Sequence, residues 1–201
     1  HYKYTPTSGS ITLDGENVLS MSVDERSKAG LFLGMQYPQE IEGVTNADFL
    51  RTVKLTTNPN DFKLYEFIKE LDSNVSKLEM DPKMIHRGIN VGFSGGERKK
   101  NEILQMNILK PNTIILDEID SGLDVDSLKI VGQNVMEYYN TNECSLLLIT
   151  HYQRLLDYIK PDYVHVIYNG KIIKTGTHKL VQEIEKDGYQ KIIESEISST
   201  S

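Results

Sequence analysis

The chain has 201 residues, 38% hydrophobic and 25% charged, and this composition predicts one globular domain that buries roughly 70% of its unfolded surface. Its formal net charge of −7 argues against a nucleic-acid binder that tracks phosphates and against a basic membrane-surface protein. The single cysteine, Cys144, rules out a disulfide scaffold and a cysteine-ligated metal or iron–sulfur cluster held by this chain alone. No apolar run approaches the roughly 18 residues of a membrane span, so direct membrane insertion is not expected.

The first part of the chain predicts short strands around one capped helix. Residues alternate like a strand from Ser10 to Leu13. Ser22 and Glu25 form the capping box of a short helix, which Gly30 ends. The apolar run from Leu31 to Met35 then predicts a strand.

The middle of the chain predicts helices. From Thr45 to Met84 the apolar residues follow helical spacing, and Asn58–Asn60 breaks the pattern into pieces. Ser94 begins a long helix that stops before Pro111. Because this stretch has little strand character, it predicts a helical subdomain.

After that subdomain, buried strands alternate with helices, which predicts an α/β fold with a parallel sheet. Two continuous apolar runs are typical of strands buried on both faces. A later hairpin carries the Asn-Gly signal of a type I′ turn. The predicted strands are Ile114–Leu116 and Leu146–Ile149, the helices include Val125–Tyr139 and others from His178 and Tyr189, and the hairpin is Val164–Lys174.

The first chemical signal is a pair of carboxylates, Asp117 and Glu118, at the end of a predicted buried strand. Ligands bind at the carboxyl ends of such strands. An Asp there can hold Mg²⁺ through water, and a Glu beside it can polarise an attacking water. This is the Walker B pattern, although alone it fits equally well a strand that runs into an acidic turn.

The second signal is a glycine pair at a helix N-terminus. Gly95 and Gly96 leave backbone N–H groups bare, Ser94 adds a hydroxyl, and the helix macrodipole adds positive potential. Together these groups predict an anion site suited to a γ-phosphate. The Ser94–Glu97 capping box by itself favours the simpler interpretation of a capped helix after a glycine turn.

The order and spacing of the motifs decide between these interpretations. They follow one another as Gln36, Ser94–Glu97, Asp117-Glu118, Ser121–Asp124 and His151. This order resembles that of an ATP-binding-cassette (ABC) ATPase: Q-loop, signature, Walker B, D-loop and H-loop. The joint match is highly specific, whereas each motif alone is not.

A narrower resemblance covers the chain from Gly9 to about Ile193. The matching segments closely resemble SufC, the ABC ATPase family of the SUF iron–sulfur cluster assembly system. They are Met35–Pro38, Glu40-Ile41 and Gly43-Val44; Asn90–Glu97 with Lys99, Asn101 and Ile103–Met106; Leu116–Glu118 with Asp120–Asp124; and Thr150–Arg154 through Asp157–Val166.

The resemblance implies a single ABC ATPase domain, an α/β fold with a mostly parallel sheet core. A helical subdomain at about 45–110 would be inserted between core segments 1–44 and 111–201. Members of this family are soluble, lack transmembrane domains and bind the scaffold proteins SufB and SufD, and ATP-driven pairing of two copies remodels that scaffold. The compartment implied is a bacterial cytoplasm or a plastid-type organelle, apicoplast or chloroplast.

The resemblance also assigns roles to residues. Gln36 would contact Mg²⁺ and couple the site to the partner, and Asp117 would support Mg²⁺. Glu118 would be the catalytic base, and His151 would hold the γ-phosphate and the attacking water. The residues expected to bind the ATP of the other subunit are Ser94, Gly95, Gly96 and Glu97, and those expected at the dimer interface are Ser121, Gly122 and Asp124.

Three basic residues follow the signature. Arg98 and Lys100 are expected on a solvated helix face. Lys99 is expected to pair with Glu118 in a resting subunit, which would keep the base away from its substrate until two copies close.

One departure from the family is large. The sequence contains no Gly-x-x-x-x-Gly-Lys-Ser/Thr, the phosphate-binding loop called Walker A. In the family this loop lies shortly before the segment that matches His1, so the chain is expected to be a piece of a longer protein. Without that loop the β- and γ-phosphates lack their lysine and their backbone cradle. We therefore expect the longer protein to hydrolyse ATP and this stretch alone to be inactive.

Two other functions stay open. The nucleotide-binding subunit of an ABC transporter shares the phosphate chemistry but differs in the Q-loop surface that meets the partner. There, Tyr37-Pro38 with Ile41 and Val44 favours the SUF interpretation. A non-catalytic ABC-like partner-binding module is the second alternative, and the intact Glu118 and His151 argue against it.

Overall fold

A computed structural model of the chain describes residues 5–57 and 59–199. Its strands are β1 (Thr12–Leu13), β2 (Glu16–Asn17), β3 (Leu31–Gly34), β4 (Ile41–Thr45), β5 (Gly88–Ile89), β6 (Thr113–Asp117), β7 (Ser145–Ile149), β8 (Val164–Tyr168) and β9 (Lys171–Gly176). Its helices are α1 (Val23–Lys28), α2 (Asn46–Thr57), α3 (Leu64–Lys77), α4 (Gly95–Leu109), α5 (Val125–Thr141), α6 (Gln153–Leu156) and α7 (His178–Ser199), with 3₁₀ turns at Val18–Ser20 and Pro82–His86.

The central sheet of the described residues is parallel, with the strand order β3-β6-β7. Helices connect these strands, as parallel neighbours require, and the predicted parallel α/β core is confirmed. The prediction that β7 is buried on both faces is wrong. Leu147 and Ile149 are 53% and 47% exposed, because the described residues cover only one face of β7.

The main hydrophobic core lies between the other face of this sheet and helices α3, α4 and α5. Leu104, Met106 and Val131 are fully buried there, together with Leu116 of the central strand. A smaller second core forms where β8 and β9 pack against α7 around Val166. The loops after β3, β6 and β7 meet at the carboxyl edge of the parallel sheet.

The middle of the chain is helical, as expected, in α2, α3 and α4. Asn58, part of the predicted break between helices, lies outside the described residues. An antiparallel pairing of β4 with β5 was not predicted, because β5 is only two residues long and β4 contains Gly43. The boundaries 45–110 for a helical subdomain stay a prediction.

Local signals were predicted reliably. Ser22 and Ser94 both complete capping boxes, at the starts of α1 and α4. Asn169 and Gly170 have positive φ angles of 48° and 74°, as a type I′ hairpin turn requires. Gly188, with φ 75°, interrupts α7, in agreement with the prediction of two terminal helices. No helix in the described part of the chain combines the length and the apolar character needed to cross a bilayer.

Candidate functional site

Glu118 lies just beyond the end of β6, at the carboxyl edge of the sheet. Its φ of 45° places it in the left-handed region, which a non-glycine residue adopts only where its surroundings hold it. Its backbone N–H donates to the Ile149 carbonyl at 2.9 Å, and its carbonyl accepts from Ser121 N–H at 3.1 Å. Asp117, the residue before it, is the last paired position of β6, opposite Ile149.

Gln36 and His151 converge on the Glu118 carboxylate from the neighbouring strand ends. The Gln36 amide donates from Nε2 to Glu118 Oε2, and His151 Nδ1 lies 3.1 Å from Glu118 Oε1. Because an ionised carboxylate only accepts, the contact requires a His151 whose proton is on Nδ1. The structure therefore brings the three predicted catalytic residues into one cluster, with each carboxylate oxygen engaged by a different loop.

Asp120 adds a second link between these loops. It is buried, and its Oδ2 accepts from Thr150 Oγ1 at 2.7 Å. Thr150 directly precedes His151, so the bond ties the loop that contains Glu118 to the loop that contains His151. Spacing alone did not predict this bond.

The expected pairing of Lys99 with Glu118 is wrong in this structure. Lys99 is only 3% exposed and donates from Nζ to the backbone carbonyls of Met35 and Gln36, at 2.6 and 2.8 Å. The Glu118 oxygens are already engaged by the Gln36 and His151 side chains. Burial lowers the pKa of Lys99, and nearby carboxylates, Glu102 foremost, oppose that shift.

The other two basic residues also differ from expectation. Arg98 is partly buried: it donates from Nε to the Phe93 carbonyl at 3.0 Å and forms an ion pair with Glu40. The pair joins α4 to the loop that follows Gln36. Lys100 is half-buried and borders the cavity described below, so neither residue lies on a purely solvated face.

Glu102 is a buried carboxylate that sequence reasoning missed. It is 6% exposed, and its Oε1 accepts from the Met35 backbone N–H at 3.1 Å. Within the described residues its Oε2 has no hydrogen-bond partner. Burial raises the pKa of Glu102 to about 7, against the opposing effects of the Met35 hydrogen bond and the Lys99 charge. The only signal in the sequence was a second charge three residues after Lys99 on the same helix.

This raised pKa predicts a specific pH dependence of folding. The folded state keeps the Glu102 proton up to about pH 7, whereas the unfolded chain releases it near the ordinary value of 4.5. The free energy of unfolding therefore falls as the pH rises from about 4.5 to about 7. The full decrease, reached above pH 7, is at most about 3 kcal/mol. We expect Glu102→Gln to gain stability relative to the wild type from pH 5 to pH 8 in urea unfolding. The exposed Glu137→Gln is the matched control, and a Glu102→Gln difference that stays constant with pH would contradict the prediction.

The signature residues form the N-terminus of α4. Ser94 caps the helix: its Oγ accepts from Glu97 N–H at 3.3 Å, and the Glu97 carboxylate accepts from Ser94 N–H at 2.7 Å. That backbone hydrogen bond is the main reason for the lowered pKa of Glu97. The N–H groups of Gly95 and Gly96 belong to the first turn and have no acceptor within the helix. A Cβ placed on Gly95 would meet no atom within 4 Å, so this glycine borders open space.

The predicted interface residues lie beside the signature. Asp124 caps α5 by accepting from Ser127 N–H at 2.7 Å, which is the main cause of its lowered pKa. Gly122 has a φ of 76°. An open cavity of about 420 Å³ is bordered by residues of both motifs, whereas Glu118 does not border it. The lining includes Ser94, Gly95, Gly96, Glu97, Lys100, Gly122 and Asp124.

A buried amide network links the loop after Gln36 to α4. Asn101 donates from Nδ2 to the side-chain oxygens of Asn46 and Asn90, at 2.8 and 2.9 Å. Asn46 donates to the Met84 carbonyl at 3.1 Å, and Asn90 donates to the Gln39 carbonyl at 2.9 Å. These four bonds hold the connected segments against α4, and Asn101 Oδ1 is the one atom of the three amides without a partner among the described residues.

Comparison with known proteins decides the family. A family model described as ABC transporter matches residues 2–121. The chain belongs to the ABC transporter family of ATP-binding proteins. It is 54% identical over 191 residues to Vegetative protein 296 of Bacillus subtilis (strain 168), which covers 94% of this chain and 73% of that protein. It is 47% identical over 204 residues to the probable ATP-dependent transporter ycf16 of Cyanophora paradoxa, covering 98% of this chain and 77% of that one.

Other relatives carry transporter names. A probable ABC transporter ATP-binding protein of Streptococcus pyogenes serotype M18 is 48% identical over 188 residues, covering 92% of this chain and 73% of that protein. A dimeric ATP-binding cassette solved in a post-hydrolysis state with ADP and phosphate superposes with a TM-score of 0.72 at 15% identity, covering 88% of this chain and 76% of that one. At that identity the superposition shows the fold alone, and it confirms the predicted ABC ATPase fold.

Proposed function

We propose that this chain is the larger part of an ABC ATPase that hydrolyses ATP between two copies and serves SUF iron–sulfur cluster assembly, where it remodels the SufB–SufD scaffold. The observation that carries the hydrolytic part is the Glu118 carboxylate held by Gln36 and His151 at three neighbouring strand ends. Under this proposal the protein works in a bacterial cytoplasm or a plastid-type organelle.

The cluster suits the chemistry of Mg²⁺-ATP. Carboxylate and amide oxygens are the ligands that Mg²⁺ prefers, and it is bound through a few of them together with substrate phosphates. Asp117 and Gln36 supply such oxygens at the sheet edge. The described residues contain no group of three His, Cys, Asp or Glu side chains that would hold a metal ion. Mg²⁺-ATP would supply an electrophilic γ-phosphorus whose charge the metal neutralises.

Glu118 and His151 would have different roles in hydrolysis. Glu118 would accept a hydrogen bond from the attacking water and orient it. Each carboxylate oxygen has one partner in the structure and can accept a second hydrogen bond, so the water could donate to Glu118 while the Gln36 and His151 contacts stay in place. His151 contacts the carboxylate through Nδ1, so Nε2 of the neutral ring would accept from that water, whereas a ring protonated on both nitrogens would donate from Nε2 to a phosphate oxygen.

The cavity beside the signature is not lined by Gln36, Glu118 or His151, and this supports completion of the site in trans. A signature presented by one copy to the ATP of the other produces two equivalent sites related by a two-fold axis. Gly95, Gly96 and Ser94 would bind the γ-phosphate with helix N–H groups and a hydroxyl, and Asp124 would lie near the contact. One structure similar in fold is a dimer bound to ADP and phosphate.

An exposed apolar surface around the Q-loop supports a protein partner. Tyr37 is 73% exposed, and Met35, Ile41 and Val44 are also exposed. Interfaces are enriched in tyrosine and methionine relative to other surfaces. We assign SufB or SufD to this surface because the surrounding segments resemble SufC. A transporter subunit is the second candidate, favoured by the Streptococcus relative that is 48% identical.

Binding to a SufB–SufD complex separates these candidates. We expect the full-length protein to bind the complex in calorimetry and Tyr37→Asp to bind about 30-fold more weakly, since a central interface tyrosine contributes about 2 kcal/mol. The matched control is Tyr65→Asp, which replaces a tyrosine of α3 that is 78% exposed. A wild-type protein that does not bind SufB–SufD would favour the transporter subunit.

A further inference from the structure

Two ionisable side chains of α4 contact the backbone of the Q-loop, and both contact Met35. Lys99 donates to the carbonyls of Met35 and Gln36, and Glu102 accepts from the N–H of Met35. The two residues are three apart, so they lie on one face of the helix. That helix begins at the signature, so it carries both the signature and these contacts.

Burial makes these contacts energetically important. Lys99 and Glu102 are 3% and 6% exposed, and a buried polar or charged group is costly unless it is hydrogen-bonded. The bonds that stabilise them here go to backbone groups of the Q-loop. The backbone just before the Q-loop has little room at Gly34, where an added Cβ would lie 2.8 Å from Leu116 of β6 and 3.7 Å from the Glu102 carboxylate.

The position of the Gln36 side chain depends on that backbone. Its amide reaches the Glu118 carboxylate from a segment whose flanking carbonyls and N–H are held by Lys99 and Glu102. Loss of the Lys99 bonds frees two backbone carbonyls at once, and the segment can then shift. A displacement of about 1 Å at a reacting group can cost about 100-fold in rate.

We propose that Lys99 and Glu102 are positioning residues that hold Gln36 against Glu118 and connect the signature helix to the catalytic cluster of the same subunit. The inference rests on the proposed ATPase function. Lys99 acts through the Q-loop backbone rather than by contact with Glu118. Movement of α4 when its signature meets the second copy would therefore be transmitted to Gln36.

A double-mutant cycle in the full-length protein tests this inference. We expect Lys99→Met to lower kcat for ATP hydrolysis about 10- to 100-fold, with the KM for ATP changed less than about 3-fold. If Lys99 acts through Gln36, Lys99→Met should add almost nothing in a Gln36→Ala background. The matched control is Lys77→Met, which breaks a surface ion pair with Glu137 and should leave kcat unchanged.

Glu102 provides a second test that does not depend on tolerance of Lys99→Met. Glu102→Gln keeps an oxygen that accepts from Met35, whereas Glu102→Leu does not, so the former should retain kcat and the latter lose it. The inference would be overturned if the kcat losses of Lys99→Met and Gln36→Ala multiplied in the double variant. Equal kcat in the two Glu102 variants would also overturn it. A wild-type protein without ATP hydrolysis would instead overturn the proposed function.

Discussion

Replacing Glu118 with Gln in the full-length protein will lower ATP hydrolysis by about 10²- to 10⁴-fold and leave ATP affinity nearly unchanged. Gln keeps the shape of the side chain but cannot act as a base. Its oxygen can still accept from Gln36, and its amide can donate to His151 in the other tautomer, so the cluster need not rearrange. The large loss would therefore report the missing carboxylate rather than a collapsed site.

Two measurements check this result. Single-turnover hydrolysis gives the rate, and equilibrium titration with Mg²⁺-ATP gives the affinity. Glu137→Gln, the same substitution at an exposed residue of α5, should behave like the wild type in both. Turnover of Glu118→Gln within a few-fold of the wild type would mean that another group activates the water.

The parts of the fold that sequence predicts well are those fixed within a few residues. The capping boxes at Ser22 and Ser94 depend on a hydroxyl and a carboxylate three positions apart. The hairpin turn at Asn169-Gly170 depends on two residues that tolerate positive φ. Each signal lies within one short segment, so distant packing does not alter the local structure that it predicts.

Features that depend on distant packing were predicted less well. Leu146–Ile149 is continuously apolar, and such a run predicts burial on both faces, yet exposure depends on which elements cover the strand. The pairing of β4 with β5 joins segments more than 40 residues apart through only a few backbone bonds. Propensity within either segment gives no sign of this pairing.

In the candidate site, too, the sequence predicted some features and missed those that depend on packing. Motif order placed Gln36, Glu118 and His151 at neighbouring strand ends, because the ends of parallel strands share one edge. It did not predict the partner of Lys99, since a long flexible side chain can reach either a carboxylate or a carbonyl. It also missed Glu102, because a buried charge cannot be distinguished from a surface charge until the helix is packed.

Assembly gives the last large effect. A Glu118→Gln protein should bind ATP without hydrolysing it, and we expect it to form a dimer with Mg²⁺-ATP in sedimentation experiments. Adding Gly95→Asp to this protein should weaken the dimer at least about 100-fold. The added carboxylate would stand at the helix end proposed to meet a γ-phosphate, and like charges there cost several kcal/mol. A two-fold dimer contains this contact twice, so the penalty is doubled.

The fold should tolerate the substitution. A Cβ on Gly95 meets no atom within 4 Å, and an Asp in the first turn of a helix is stabilised by the macrodipole. Val23→Asp is the matched control: Val23 also directly follows a capping-box serine, at the start of α1, and is 82% exposed. It should leave the ATP-dependent dimer intact. A dimer whose stability changed with neither ATP nor Gly95→Asp would show that the signature does not bind nucleotide across the interface. In that case neither the ligand nor the added charge would contribute to association.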